Sequence, residues 1–300
     1  MRRDQAGRDR GGSAQPCKGS GKGMGEGGNR MHQPIRVVVF GAHPDDDDIK
    51  VGGTAALWAA RGDEVLFVAL TCGDAGHQTM AGGELARRRR AEAQAAAAAL
   101  GVRYHVCDHR DGSLQPTLAL RDEVIGIVRE ARADLVLLPR PWDYHPDHRA
   151  VAQVVQDAAY MVTVPNVAPL APHLERNPVF AYVSDRFTRP SPFKPDVVVD
   201  TTASVERKLD ALVCHESQLF EWLPYNAGNL DQVPTDAAGR RQWTLRWVEE
   251  DAAQAERCRA LLAQRYGPLR AASIRYAEAF ECCELGRQAS REDLDALFPR

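Results

Sequence analysis

The chain has 300 residues, a formal net charge of -3 and 44% hydrophobic residues, apolar material enough for one sizeable core or two small ones. That composition excludes a disordered or fibrous chain, and the near-balanced charge argues against nucleic acid as a partner, because a phosphate-binding face needs a basic excess. No apolar run reaches the roughly 20 residues that span a bilayer and no export signal is evident, so the reading is a cytoplasmic protein with no membrane span.

Residues 1–33 hold nine of the 24 glycines and seven Lys or Arg, with almost no apolar side chains. Ordering such a segment costs backbone entropy that no burial offsets, so a disordered tail is expected, followed by a single α/β domain over 34–300. From residue 35 onward, short β-branched runs alternate with helical patterns, as a mostly parallel, Rossmann-like sheet with helices on both faces requires. Strands are expected at 35–40, 64–71, 104–107, 134–138, 179–183 and 197–199. Gly52-Gly53 is read as opening a helix to Arg61. Further helices are expected at 84–100, ended by Gly101 in the left-handed conformation, and at 118–131 and 147–161. A helix over 204–218 would take Ser204 as N-cap and carry Arg207 and Lys208 on its wet side, and helical character continues over 242–266. The proline-rich region 163–195 is read as partly loop. Trp222, Trp243 and Trp247 are assigned to packing. The seven scattered cysteines, with no C-x-x-C pair, are read as reduced thiols.

Two segments carry chemistry. Gly41-Ala42-His43-Pro44-Asp45-Asp46-Asp47-Asp48 follows the first strand, and Trp142-Asp143-Tyr144-His145-Pro146-Asp147-His148 follows the fourth and opens a helix. Both fall on the carboxyl edge, where α/β sheets bind ligands. Imidazoles and carboxylates from two strand ends form a ligand set for zinc(II) or a related divalent ion such as Fe(II). Three protein ligands leave a position for water, whose pKa falls to about 7, and a spare carboxylate can act as its general base. The same residues admit a 2-His-1-carboxylate iron(II) oxygenase or a non-catalytic metal- or sugar-binding protein. His105 and His109 are expected to make only local hydrogen bonds.

The pair of motifs, Ala42-His43-Pro44-Asp45-Asp46 and His145-Pro146-Asp147-His148, resembles that of the PIG-L/LmbE-type N-acetylglucosaminyl deacetylases in sequence, order and position. The segments Arg89 to Gly101 and Lys208 to Gln218 extend the likeness over residues 35–285. The resemblance implies His43, Asp46 and His148 as metal ligands and Asp45 as general base. It implies that a protonated His145 stabilises the oxyanion or protonates the leaving amine, with Asp147 orienting and charging it. Arg89 and Asp111 would hold sugar hydroxyls. The implied partner is a small amino-sugar substrate whose aglycone meets the loops 75–83 and 163–195; a homo-oligomer is compatible with the sequence. One departure is Asp47, where the family usually has glutamate, so a loop brace would have to be rebuilt, with Asp48 as a candidate. The pointing of Asp45 against Asp46, and a bordering or structural role for His215, stay open.

Overall fold

The computed structural model of the chain describes residues 33–300. Residues 1–32, nearly all of the expected tail, lie outside them. From Pro34 onward the chain builds a seven-stranded sheet in the order β3-β2-β1-β4-β5-β7-β6. Its strands are β1 (Arg36–Gly41), β2 (Glu64–Thr71), β3 (Arg103–His109), β4 (Leu135–Leu138), β5 (Val179–Val183), β6 (Val197–Asp200) and β7 (Ala277–Gly286). Strands β1 to β5 pair in parallel, whereas β7 runs antiparallel between β5 and β6.

The alternation of β1 is legible on both faces. Val37 and Val39 pack into one core with α1 (Asp46–Arg61), α2 (Gly82–Leu100) and α5 (Val205–Leu212). Val38 and Phe40 face the opposite core, filled by α3 (Leu118–Glu130) and α4 (Pro146–Met161). A strand buried on both faces has no polar side to show, so it reads as a continuous apolar run. Chain order places β2 and β3 on one side of β1 and β4 on the other. The loops after β1 and β4 therefore diverge at the topological switch point, where such sheets open a crevice.

Several expectations are corrected. Helix α1 begins at Asp46, so Gly52 and Gly53 lie inside it. There the Glu278 carboxylate accepts from the backbone N–H groups of Gly53 and Thr54 at 2.9 and 2.7 Å, and a Cβ on Gly53 would stand 2.8 Å from Thr201 Cβ. The glycine pair is a close approach rather than a start. Lys208 is not on a wet face: it is 0% exposed, with its ammonium 2.6 Å from Asp251 and 2.8 Å from Glu278. Arg207 donates to the carbonyls of Ala56, Ala99 and Leu100. The expected helix 204–218 ends at Leu212, and a separate π-helical turn covers Ser217–Trp222. Beyond it lie short helices: α6 (Leu223–Asn226), α7 (Ala237–Thr244), α8 (Glu249–Arg257), α9 (Arg259–Tyr266), α10 (Pro268–Ser273) and α11 (Arg291–Leu297). Among the described residues no helix is long and apolar enough to cross a membrane.

Candidate active site

The loop after β1 is tied by its own acid. Asp46 Oδ2 accepts from the N–H groups of Ala42 at 3.0 Å and His43 at 2.9 Å, which turns the loop into the first turn of α1. Asp46, Asp47 and Asp48 occupy that turn, where the helix dipole favours negative charge. Asp45, just before it, sits at φ 143°, a conformation that costs a non-glycine residue about 1–3 kcal/mol and that gathers at functional sites. The residue is held there from both sides: its N–H donates to the Tyr104 hydroxyl at 3.2 Å and its carboxylate lies 3.3 Å from the Arg89 guanidinium. Asp47 itself provides the brace, accepting from Val68 N–H at 3.1 Å. Asp48 pairs with the buried His215 at 3.0 Å, a structural hydrogen bond.

The loop after β4 arrives opposite. His145 is the N-cap of α4, with Pro146 in its first turn, and its Nδ1 accepts from Asp147 N–H at 3.2 Å. One turn on, His148 turns inward. His43 Nδ1, His148 Nε2 and Asp46 Oδ2 then form a near-equilateral triangle, with edges of 3.3 Å between the imidazoles, 3.4 Å from His43 to Asp46 and 3.3 Å from His148 to Asp46. His43, His145 and His148 also bring ring nitrogens within 4.8 Å of one another, as do His43, Asp111 and Asp147 their ligand atoms. The second of these sets uses the far nitrogen of His43.

Each imidazole of the triangle is backed by carboxylate. His148 Nδ1 lies 3.1 Å from Asp143, which also accepts from His145 N–H. His43 Nε2 is buried between Asp111 at 3.2 Å and Asp147 at 3.5 Å, aligned as a hydrogen bond on neither. The Asp147 side chain, 0% exposed, is fixed by the N–H groups of Gly112 and Leu114. The expectation that Asp147 orients His145 through its carboxylate is therefore corrected: its backbone meets His145 and its side chain faces His43. Arg89 is likewise 2% exposed, bonded to the carbonyls of Gly73 and Pro44 and paired with Asp45. It clamps the loop rather than presenting a free guanidinium.

Electrostatics follow from this crowding. Burial disfavours the charged form of His43, but Asp111, Asp147 and Asp46 outweigh it and hold its pKa well above that of a free histidine. His148, against the same burial, is pushed up to about 9 by Asp46 and Asp143. Burial and its imidazole neighbours lower His145. Asp45 is pushed up to about 6 by burial, with Arg89 pulling the other way. The two basic imidazoles and the acid between them mark a place where positive charge is stabilised.

These groups open onto a cleft of about 350 Å³ whose walls include Tyr144, Gln218, Trp222 and Trp247. Trp243 packs in the core as expected, whereas Trp222 and Trp247 border the cleft. Their chain positions, far from either motif, gave no sign of it. Asp143 was overlooked too, although its place two residues before the N-cap histidine is a turn signal. The expected local bonding is not what forms: His109 pairs at 2.7 Å with Glu123, 14 residues on in α3, and His105 is exposed.

A family model described as GlcNAc-PI de-N-acetylase (PIG-L) matches residues 38–159. The diacetylchitobiose deacetylase of Thermococcus kodakarensis is 34% identical over 207 residues, spanning 63% of this chain and 74% of that protein. The 4-oxalmesaconate hydratase of Pseudomonas putida is 25% identical over 206 residues, 65% of this chain and 79% of the other. Among solved structures, the N,N'-diacetylchitobiose deacetylase from Pyrococcus horikoshii, complexed with its inhibitor MPG, matches with a TM-score of 0.63 and 25% identity over 82% of this chain and 83% of that one. Both motif loops fall within the matched span, and the chain belongs to the PIG-L family.

Proposed function

We propose that residues 34–300 act as one catalytic domain that hydrolyses the N-acetyl group of an N-acetylglucosamine-containing conjugate, releasing acetate and a free amine, with zinc held by His43, Asp46 and His148. The observation that carries this reading is the triangle of donor atoms with edges of 3.3, 3.3 and 3.4 Å. Ligands bonded tetrahedrally at roughly 2.0–2.1 Å stand about 3.4 Å apart, so two imidazoles and a carboxylate are spaced as a zinc site with an open fourth position needs. Asp143 behind His148, and Asp111 with Asp147 behind His43, are the outer carboxylates that orient such ligands. When bound, the cation would acidify water and polarise the amide carbonyl.

Asp45 then takes a proton from the attacking water and passes it to the departing amine nitrogen. A carboxyl raised by burial suits both halves of that exchange. His145 Nδ1 accepts from the backbone, which leaves the ring proton on Nε2, free to donate a hydrogen bond to the developing oxyanion. Burial and the neighbouring imidazoles lower the pKa of this ring, which favours its neutral form as that donor. Asp111 and Arg89 shape the floor of the cleft beneath the sugar.

The deacetylase relative is the more similar of the two compared, 34% against 25% identical, and the reading follows it. The test is acetate release from N-acetylglucosamine conjugates by zinc-reconstituted protein. Asp45→Asn should bind metal normally and lose at least about a hundredfold in kcat; full activity in that variant removes Asp45 as base.

A further inference from the structure

The wall of the cleft opposite the histidines is a built surface. Leu223 N–H bonds to Gln218 carbonyl across the π-helical turn, an i→i+5 spacing that brings residues four apart onto nearly one face. Gln218 and Trp222 therefore both meet the loop after β2. Gln218 Nε2 donates to the Gly76 carbonyl at 3.0 Å. Glu221, next to Trp222, accepts from both terminal nitrogens of Arg88 at 2.7 and 2.6 Å and lies 2.7 Å from His77 Nε2. His77 Nδ1 in turn accepts from Thr79 and Met80 N–H, so the loop is folded around its own histidine. Tyr225 stacks on the Trp222 ring, centroids 6.0 Å apart and planes inclined by 25°, which fixes the indole.

At Gly76 three polar atoms converge. A Cβ built there would lie 3.2 Å from Arg89 Nη1, 3.4 Å from Asp111 Oδ2 and 3.6 Å from Trp222 Nε1. Arg89 gives its terminal nitrogens to the carbonyls of Gly73 and Pro44 and to Asp45, and its Nε is buried against Gly73 without a hydrogen-bond partner. Trp222 Nε1, which faces Gly76 on the cleft wall, also has no hydrogen-bond partner among the described residues. A hydroxyl group donates one hydrogen bond and accepts others, so an indole N–H and a carboxylate oxygen that both border the space at Gly76 are complementary to one hydroxyl placed between them.

Resting on the deacetylase reading, we propose that Trp222 is a specificity-determining residue. Its indole N–H donates to a ring hydroxyl of the amino sugar that itself donates to Asp111, in a recess kept open because position 76 is glycine. The substrate class this selects is a pyranose presenting a free hydroxyl to the π-turn wall. An acetylated amine without that hydroxyl leaves both the N–H and the carboxylate oxygen unanswered, which is the costly case for a polar site.

The test is calorimetric titration of N,N'-diacetylchitobiose into zinc-loaded protein in an Asp45→Asn background, where turnover is suppressed. Trp222→Phe keeps the ring and removes the N–H, and should weaken binding about tenfold; Gly76→Ala fills the recess and should weaken it at least as much. Both variants are checked for an unchanged melting temperature. A dissociation constant within twofold of the parent in Trp222→Phe overturns the assignment, as does a parent that fails to bind the disaccharide. Acetate release by the unsubstituted enzyme is scored separately: release together with indifferent Trp222 variants sinks only the subsite, whereas Trp222-sensitive binding without release sinks only the deacetylase reading.

Discussion

Asp143 and His148 are joined across one turn of chain, the carboxylate 3.1 Å from Nδ1, and this contact leaves Nε2 of the same ring as the atom that faces Asp46 at 3.3 Å. The acid thus decides which nitrogen of His148 is available. Asp143→Asn preserves size but removes the charge that holds the ring proton on Nδ1. Zinc affinity should fall by about 10–100-fold with little change in melting temperature, read by competition against a chromogenic chelator. Equal affinities would show that His148 needs no such partner.

Asp147 does for His43 what Asp143 does for His148, but from a buried position. Its carboxylate is the acceptor for Gly112 and Leu114 N–H, so Asp147→Ala leaves the buried Leu114 donor unanswered and frees the exposed Gly112 from its anchor. The expected cost is about 1–3 kcal/mol in urea denaturation of the metal-free protein. Asp147→Asn, which keeps one acceptor oxygen, should recover part of it. An alanine variant as stable as the parent would contradict the hydrogen-bond account.

The buried Lys208 ammonium links Asp251 and Glu278, and Glu278 in turn receives the two N–H groups of α1. Lys208→Met removes one charge and strands two carboxylates in the interior. A loss of about 3–5 kcal/mol is expected, because an uncompensated buried charge costs more than the pair contributed. Replacing Lys208 and Asp251 together should cost less than the sum of the two single changes.

With two carboxylates around one ammonium, one acid is in surplus. Burial pushes Asp251 up to about 7, with Lys208 pulling it down and Glu278 adding to the rise. A carboxyl raised above its unfolded value near 4 stabilises the fold fully below that value, and the contribution is lost as pH rises through about 7. Asp251→Asn does not titrate, so relative to the parent it should gain about 4 kcal/mol between pH 4 and pH 8 in denaturation experiments. A stability difference independent of pH would refute the shift.

Much of this architecture could be read along the chain. Runs such as Val37-Val38-Val39 are apolar without alternation, which local patterning assigns to a strand covered on both faces, and the two histidine-aspartate motifs follow such strands directly. Strand β7 escaped because Glu278, Glu281 and Glu284 interrupt its apolar pattern: Glu278 is buried where Lys208, 70 residues earlier, answers its charge and the N–H groups of Gly53 and Thr54 meet its oxygens. For the same reason Lys208 looked like a surface residue.

Periodicity and turn chemistry act within a few residues, and these already determined strands β1 to β6, helices α2 to α4 and the two loops that carry the chemistry. Which carboxylate backs which imidazole, and that Trp222 meets Gly76 across the cleft, depended on the order of strands in the sheet. Aspartates 143 and 147 flank the same His145 in sequence, yet the start of α4 sends one to His148 and the other to His43. Contacts between distant segments are selected by packing and charge pairing in three dimensions, for which one-dimensional spacing has no counterpart.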